Sequence, residues 1–303
     1  MSSPDLVQSN TDCFEIDSEH VGARFAVWVT RPQLYALGDG RLPVVYVPDG
    51  NTALGATATM ALLMATDPMD TTVPVLQVTV GYVAEDAADA IRVRNRDLLP
   101  PGEPVAAVLR DRVNAMIATG QITQEQGDGY LASLSQPHAD RFLAFLQEEL
   151  HPLICERYRA EPNRAGLFGY SFGGLFALYV ALTKNPLFDR IGAGSPGVQE
   201  LASQVFELEQ QLASDPEPFD DVQLHVTINE RELTGAMPLY RTISTNALAV
   251  VDQLKAREHK GLSVTTSLLQ GETHLIGFGV AYASFLRTCY RAPALDAASG
   301  ADA

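Results

Sequence analysis

The stretch "GLFGYSFGGLFAL" (166–178) places glycine two residues before Ser171, at Gly169, and two and three residues after it, at Gly173 and Gly174. The residues leading into it, "NRAGLFGY" (163–170), form a short apolar run that reads as a buried strand. The residues that follow, "FGGLFALYVALTK" (172–184), are apolar on nearly every face and read as a buried helix. A serine between the two sits on a sharp turn, in a sparsely populated backbone conformation that costs about 1–3 kcal/mol. Glycines two residues to either side remove side chains that would collide across the turn, and Gly174 lets the new helix pack closely on the sheet. Such a turn presents the serine hydroxyl at a helix N-terminus, where the dipole and the first free N–H favour developing negative charge. Ser171 is therefore predicted to be a nucleophile, with the Phe172 N–H as an oxyanion donor. The G-x-S-x-G spacing alone is short enough to arise by chance, so the flanking strand and helix carry the reading.

A serine nucleophile needs a base, and on a turn of this kind the chain order is nucleophile, acid, histidine. Of six histidines, His20, His138 and His151 precede Ser171 and fail that order. His225 lies inside the predicted strand "VQLHVTI" (222–228), and His259, in "AREHKG", falls at a solvated helix end. His274, in "LLQGETHLIGFGV" (268–280), follows a predicted strand and precedes a predicted helix, where a loop overhangs the strand ends. It is the expected base. The acid should follow "VQLHVTI", where Glu230 and Glu232 in "NERELTG" both qualify. Two residues apart, they point in opposite directions if the strand continues, so one of them faces the site. Asp252 falls within the next predicted helix and reads as a surface charge. A second oxyanion donor is expected after an early strand, and the Asp-Gly turn of "VYVPDGN" (45–51) would aim the Asn51 N–H into the site.

Strands and helices alternate along the chain. "RFAVWVT" (24–30), "LPVVYVP" (42–48), "VPVLQVTVGY" (73–82), "RIGAGS" (190–195) and "LSVTTSLL" (262–269) read as further strands. Residues 139–158, 242–258 and 277–290 read as helices, with Pro152 expected to kink the first or mark its last turn. The alternation predicts an α/β fold with a mostly parallel central sheet and helices on both faces. Residues 84–138 and 198–221 lack a core-forming strand. The first is expected to be a lid-like insertion with helices at 104–119 and 122–134, within one domain spanning 1–291. Residues 292–303 read as a disordered tail. "GAGSPG" (192–197) matches a dinucleotide-binding spacing, but a proline interrupts the turn and the match is mid-chain. It reads instead as a strand-end loop lining the active-site crevice. Ser195 and Pro196 there, and Tyr170 beside the nucleophile, are expected to touch substrate.

The composition is that of a globular protein: 303 residues, 46% hydrophobic and 19% charged, with a net charge of −16. No basic stripe interleaved with aromatics suggests nucleic acid. Three widely spaced cysteines, Cys13, Cys155 and Cys289, argue against a disulfide framework or a zinc site. No apolar run is long enough to span a bilayer, and "MSSPDLVQSN" lacks the features of a signal peptide, so a cytoplasmic location is expected. No feature of the sequence specifies an oligomeric state.

Together, "LPVVYVPDGN", "RFLAFLQEELHPLICERYR", "GLFGYSFGGLFALYVALTKNPLFDRIGAGSPG" and "QGETH" resemble the esterase D-type esterases of the α/β-hydrolase fold. The likeness is greatest to the bacterial siderophore esterases that cleave trilactone iron carriers, with the mycolyltransferases as more distant relatives. The resemblance implies a serine esterase acting on a small-molecule ester or lactone, with no metal or organic cofactor. Its nucleophile falls on Ser171, its histidine on His274 and its oxyanion N–H on Asn51. The mycolyltransferase glutamate lies in a Glu-Leu segment like "RELTG", which selects Glu232 over Glu230. "RVRNRDLLP" (92–100) resembles the family's Arg-and-Asp-before-Pro segment, where Arg94 or Arg96 meets an anionic substrate or pairs with nearby acids such as Asp97. With Trp28 the only tryptophan, a flat aromatic wall for catecholate rings is not expected. The same residues also suit an acyltransferase that delivers the acyl group to an alcohol or amine, and a non-catalytic binding protein could retain the fold.

Overall fold

A computed structural model describes residues 10–83, 87–214 and 217–293. Eight strands form one sheet in the order β1-β2-β4-β3-β5-β6-β7-β8. They are β1 (Thr11–Ser18), β2 (Ala23–Thr30), β3 (Leu42–Val47), β4 (Leu76–Tyr82), β5 (Ala160–Tyr170), β6 (Phe188–Gly194), β7 (Val222–Asn229) and β8 (Leu262–Leu269). β1 and β2 pair antiparallel, as do β2 and β4, and every pairing from β4 through β8 is parallel. Within the parallel part the strands alternate which face each residue serves. Val44 and Tyr46 of β3 join the core on one side, and Val45 and Val47 join the core on the other. That two-sided burial explains why these strands read as continuous apolar runs.

Helices cover both faces. α1 (Gly50–Met64) and α11 (Gly277–Cys289) pack together on one side. The other side carries α2 (Ala87–Leu98), α3 (Ala107–Ala118), α4 (Gln124–Ser133), α5 (Ala139–Ala144), α6 (His151–Arg157), α7 (Phe172–Leu182), α8 (Gln204–Leu212) and α10 (Pro238–Arg257). A short helix, α9 (Glu230–Thr234), follows β7 directly. All seven predicted strands form, and β1 is added. Its alternating half-buried pattern at the sheet edge left only a weak apolar signal.

Helices α1, α2, α8 and α9 were not among those read from the sequence. α1 is rich in alanine, threonine and glycine and does not concentrate its apolar residues on one face. α2 opens the 84–138 segment, whose first three residues lie outside the described ones, and buries Val93 and Leu98. Pro152 does not end its helix, which runs on to Arg157. The turn before it widens into a π-helical stretch, Phe145–Leu150, the kind of local adjustment that accompanies a proline inside a helix. The tail expected from residue 292 lies outside the described residues from 294 onward. Ala292 itself is held by a hydrogen bond from its N–H to the Thr71 carbonyl (3.0 Å).

Candidate active site

β5 ends at Tyr170 and α7 begins at Phe172, leaving Ser171 alone at the turn with φ 58° and ψ −117°. For a residue with a Cβ this is strained backbone, as the glycine spacing predicted. The turn is held from both sides. The Ser171 N–H donates to Gly194 O (2.9 Å), and Ser171 O accepts from Leu175 N–H (2.9 Å) and Gly197 N–H (2.8 Å). The glycines differ in what they do. A Cβ on Gly169 would drive into the carbonyl oxygen of Gly173, and one on Gly174 would come within 2.6 Å of Gly194 O. A Cβ on Gly173 meets nothing closer than Pro48, at 3.5 Å. The collision argument therefore holds for Gly169 and Gly174 and not for Gly173.

The loop after β8 brings His274 over the turn. Its Nε2 lies 3.1 Å from Ser171 Oγ, and its Nδ1 lies 2.6 Å from Glu232 Oε1. With Nδ1–H donating to the Glu232 carboxylate, Nε2 is left to accept the serine proton. α9 separates the two carboxylates by geometry. On a helix, residues two apart diverge by about 200°, so the two glutamates part company even though the strand has ended. Glu232 is buried beside His274, whereas Glu230 turns outward and accepts the Gly271 N–H (2.7 Å), tying down the loop that carries the histidine.

Burial by itself raises the Glu232 pKa. Hydrogen bonds from His274, Ser195 Oγ (2.6 Å), Ser244 Oγ (2.6 Å) and Asn229 Nδ2 (2.7 Å) outweigh it and hold the carboxyl below its ordinary value. Tyr240 stacks on the imidazole with ring centroids 4.4 Å apart, and the Tyr170 hydroxyl donates to the His274 carbonyl (2.6 Å). Ser244, Asn229 and Tyr240 were not singled out from sequence. Asn229 ends β7, Tyr240 and Ser244 lie one turn apart on α10, and no spacing rule links them to the histidine. The other two late histidines are structural. His225 is buried between Thr265 and Ser284, which pushes its pKa down to about 4. His259 is not at a solvated end: its side chain is only 11% exposed and its ring packs on Phe219.

Ser171 and His274 open into a cavity of about 790 Å³. Tyr170, Phe172 and Arg94 line it. Tyr130, Tyr240 and Phe278 complete an aromatic wall, contrary to the expectation drawn from the single tryptophan. Four expected contacts are not on this wall. Ser195 is buried behind it, with its hydroxyl given to Glu232, and Pro196 packs against the first turn of α7. Arg96 is turned onto Asp97 (2.6 Å), whose carboxyl burial pushes up to about 6 against the lowering effect of that arginine. Asn51 lies in the first turn of α1 with its side chain bonded to the Tyr82 backbone (3.0 and 2.7 Å), while its neighbours Asp49 and Thr52 line the cavity. Among the described residues, no group of three or more His, Cys, Asp or Glu side chains is arranged to hold a metal ion, and no helix is long and apolar enough to cross a membrane.

Comparison with known proteins agrees with the resemblance read from the sequence. A family model described as "Putative esterase" matches residues 102–246. The chain is 28% identical over 189 residues to the ferri-bacillibactin esterase BesA of Bacillus subtilis, covering 62% of this chain and 58% of that protein. It is 32% identical over 156 residues to a siderophore enterobactin esterase of Emericella nidulans, covering 51% and 46%. The matches thus span about half the length of these curated relatives. Among solved structures, the siderophore hydrolase EstB from Aspergillus nidulans superposes with a TM-score of 0.73 at 18% identity, over 94% of this chain and 96% of that one. An IroE-like serine hydrolase from Shewanella oneidensis gives 0.72 at 22% identity, over 92% and 79%. The fold is of the α/β-hydrolase type, as the resemblance implied.

Proposed function

We propose that this chain is a serine carboxylic ester hydrolase that works through an acyl-enzyme on Ser171. The observation that carries the reading is the relay from Ser171 Oγ to His274 Nε2 (3.1 Å) and from His274 Nδ1 to Glu232 (2.6 Å), seated on the strained turn. As Ser171 Oγ bonds to the ester carbonyl carbon, His274 takes its proton. The resulting imidazolium is stabilised by Glu232 and then gives the proton to the departing alcohol. Water, deprotonated by the same imidazole, attacks the acyl-enzyme and frees the acid. The tetrahedral oxyanion is held by the Phe172 N–H at the start of α7, with the Asn51 N–H at the start of α1 as second donor: the Asn51 side chain lies off the wall, but its backbone stands between the cavity-lining Asp49 and Thr52. Both helix N-termini add favourable partial charge there.

The substrate we infer is a small-molecule ester or lactone bearing aromatic groups. The wall of Tyr130, Tyr240 and Phe278 supports this, as does the naming of the curated relatives as siderophore esterases. We read the 84–138 segment as lid-like, because Arg94, Leu109, Arg112 and Tyr130 from it form part of the cavity wall. The test is intact mass after exposure to a fluorophosphonate, with Ser171→Ala alongside. One adduct on the wild type and none on the variant is the expected result. No adduct on the wild type would overturn the reading. Product analysis with added alcohols would separate hydrolysis from acyl transfer.

A further inference from the structure

The turn between β3 and α1 carries an aspartate in an unusual role. Asp49 stands at the N-cap of α1, a position from which aspartate normally accepts an N–H of the first helical turn. It does not cap its helix. Its backbone is left-handed, with φ 63°, and both carboxylate oxygens are taken by Arg94 of α2: Nε to Oδ1 at 2.6 Å and Nη2 to Oδ2 at 2.8 Å. The guanidinium also lies over the Phe172 ring, 5.5 Å from its centroid. Asp49 Oδ2 is only 3.6 Å from the point where a Cβ of Gly173 would sit. The carboxylate thus lies between the starts of α1 and α7, and both Asp49 and Arg94 line the cavity.

A bare carboxylate there would oppose the negative charge that builds on the substrate oxygen. It would also compete for the helix-start N–H groups meant for that oxygen. We propose that Arg94 is a positioning residue for the oxyanion site. It holds the Asp49 turn, keeps the carboxylate off the opening N–H groups of α1, and cancels its charge. This rests on the esterase reading above. It assigns Arg94 to the transition state through Asp49 instead of to an anionic group on the substrate.

The experiment compares wild type, Arg94→Met, Asp49→Asn, the double variant and Arg94→Lys by steady-state kinetics on an uncharged aryl ester. Fluorophosphonate labelling of the wild type runs alongside. Arg94→Met is expected to lower kcat by about 10- to 100-fold, with KM within about threefold. Adding Asp49→Asn should recover most of that loss, since the uncompensated charge is then gone. Arg94→Lys keeps the charge but loses the two-pronged hydrogen bond, so its kcat should fall between those of wild type and Arg94→Met. A double variant as slow as Arg94→Met would overturn the proposal, as would an effect confined to KM. If Arg94→Met does not fold, Arg94→Lys decides: a loss as large as 100-fold counts against charge cancellation. If the wild type itself fails to label, it is the esterase reading that has failed.

Discussion

Glu103 and Glu200 each cap a helix in the other's segment. Glu103 accepts Ser203 Oγ and the Gln204 N–H, both at 3.0 Å, at the start of α8. Glu200 accepts the Ala107 N–H (2.8 Å) at the start of α3. Carboxylates at helix N-termini complement the unpaired N–H groups and the dipole there. The two excursions that break the alternation of strands and helices are therefore fastened to each other beside the cavity, and not merely to the sheet.

The first expectation concerns pH. Burial raises Glu103 from 4.5 to about 7, against the lowering effect of its two hydrogen bonds. Folding therefore favours its protonated form, and the folded state binds more protons than the unfolded state between those values. Its contribution to stability is complete below about pH 4.5 and falls as pH rises through about 7. Glu103→Gln keeps the shape without the charge. Thermal unfolding at pH 5 and pH 8 should show the wild type losing about 1–3 kcal/mol more than the variant on going to pH 8. Equal losses in both would show that the Glu103 carboxyl does not titrate in this way.

The relay makes a prediction about rate. Glu232→Gln should preserve the fold but lower kcat by about 10³- to 10⁴-fold, because the amide no longer holds the Nδ1 proton toward itself and cannot stabilise the imidazolium. Glu230→Gln, which only anchors Gly271, should stay within about tenfold of wild type. Ester hydrolysis by the two purified variants is the check, and matching activities would place the acid elsewhere.

Ser244 helps to keep Glu232 ionised and in place. Hydrogen bonds hold the Glu232 carboxyl below its ordinary pKa, and one of the donors is Ser244 Oγ. Ser244→Ala removes that donor but leaves the carboxylate charged at neutral pH. Ester hydrolysis at pH 7 should therefore fall by only about 2- to 10-fold in kcat, through looser placement of Glu232. A loss as large as that of Glu232→Gln would mean that Ser244 does more than position the carboxylate.

Gly169 and Gly173 sit symmetrically about the serine but should respond differently to alanine. Gly169→Ala drives a methyl into the Gly173 carbonyl and should destabilise the fold by about 1–3 kcal/mol or prevent it. Gly173→Ala has room and should stay within about 1 kcal/mol of wild type by denaturant titration. Comparable destabilisation by both would contradict the packing of this turn.

Local chemistry determined much of this protein in the sequence itself. The glycines around Ser171 mark a backbone conformation that few residues tolerate, and the alternation of apolar runs marks a sheet buried on both faces. Chain order and the predicted elements around each histidine then single out His274 as the expected base. Where spacing stopped being informative, tertiary structure decided. Glu232 faces the histidine because α9 starts at once after β7, and Asn229 at its N-cap gives its side chain to Glu232 and not to the helix N–H groups. Ser195, read as a substrate contact, lies behind the site because a positive φ of 38° turns its hydroxyl onto Glu232. Arg94 and Arg96 look equivalent in "RVRNRDLLP", yet one reaches Asp49 in the cavity and the other folds back onto Asp97. Those outcomes depend on which distant element a side chain meets, and a linear pattern carries only the period of its own helix or strand.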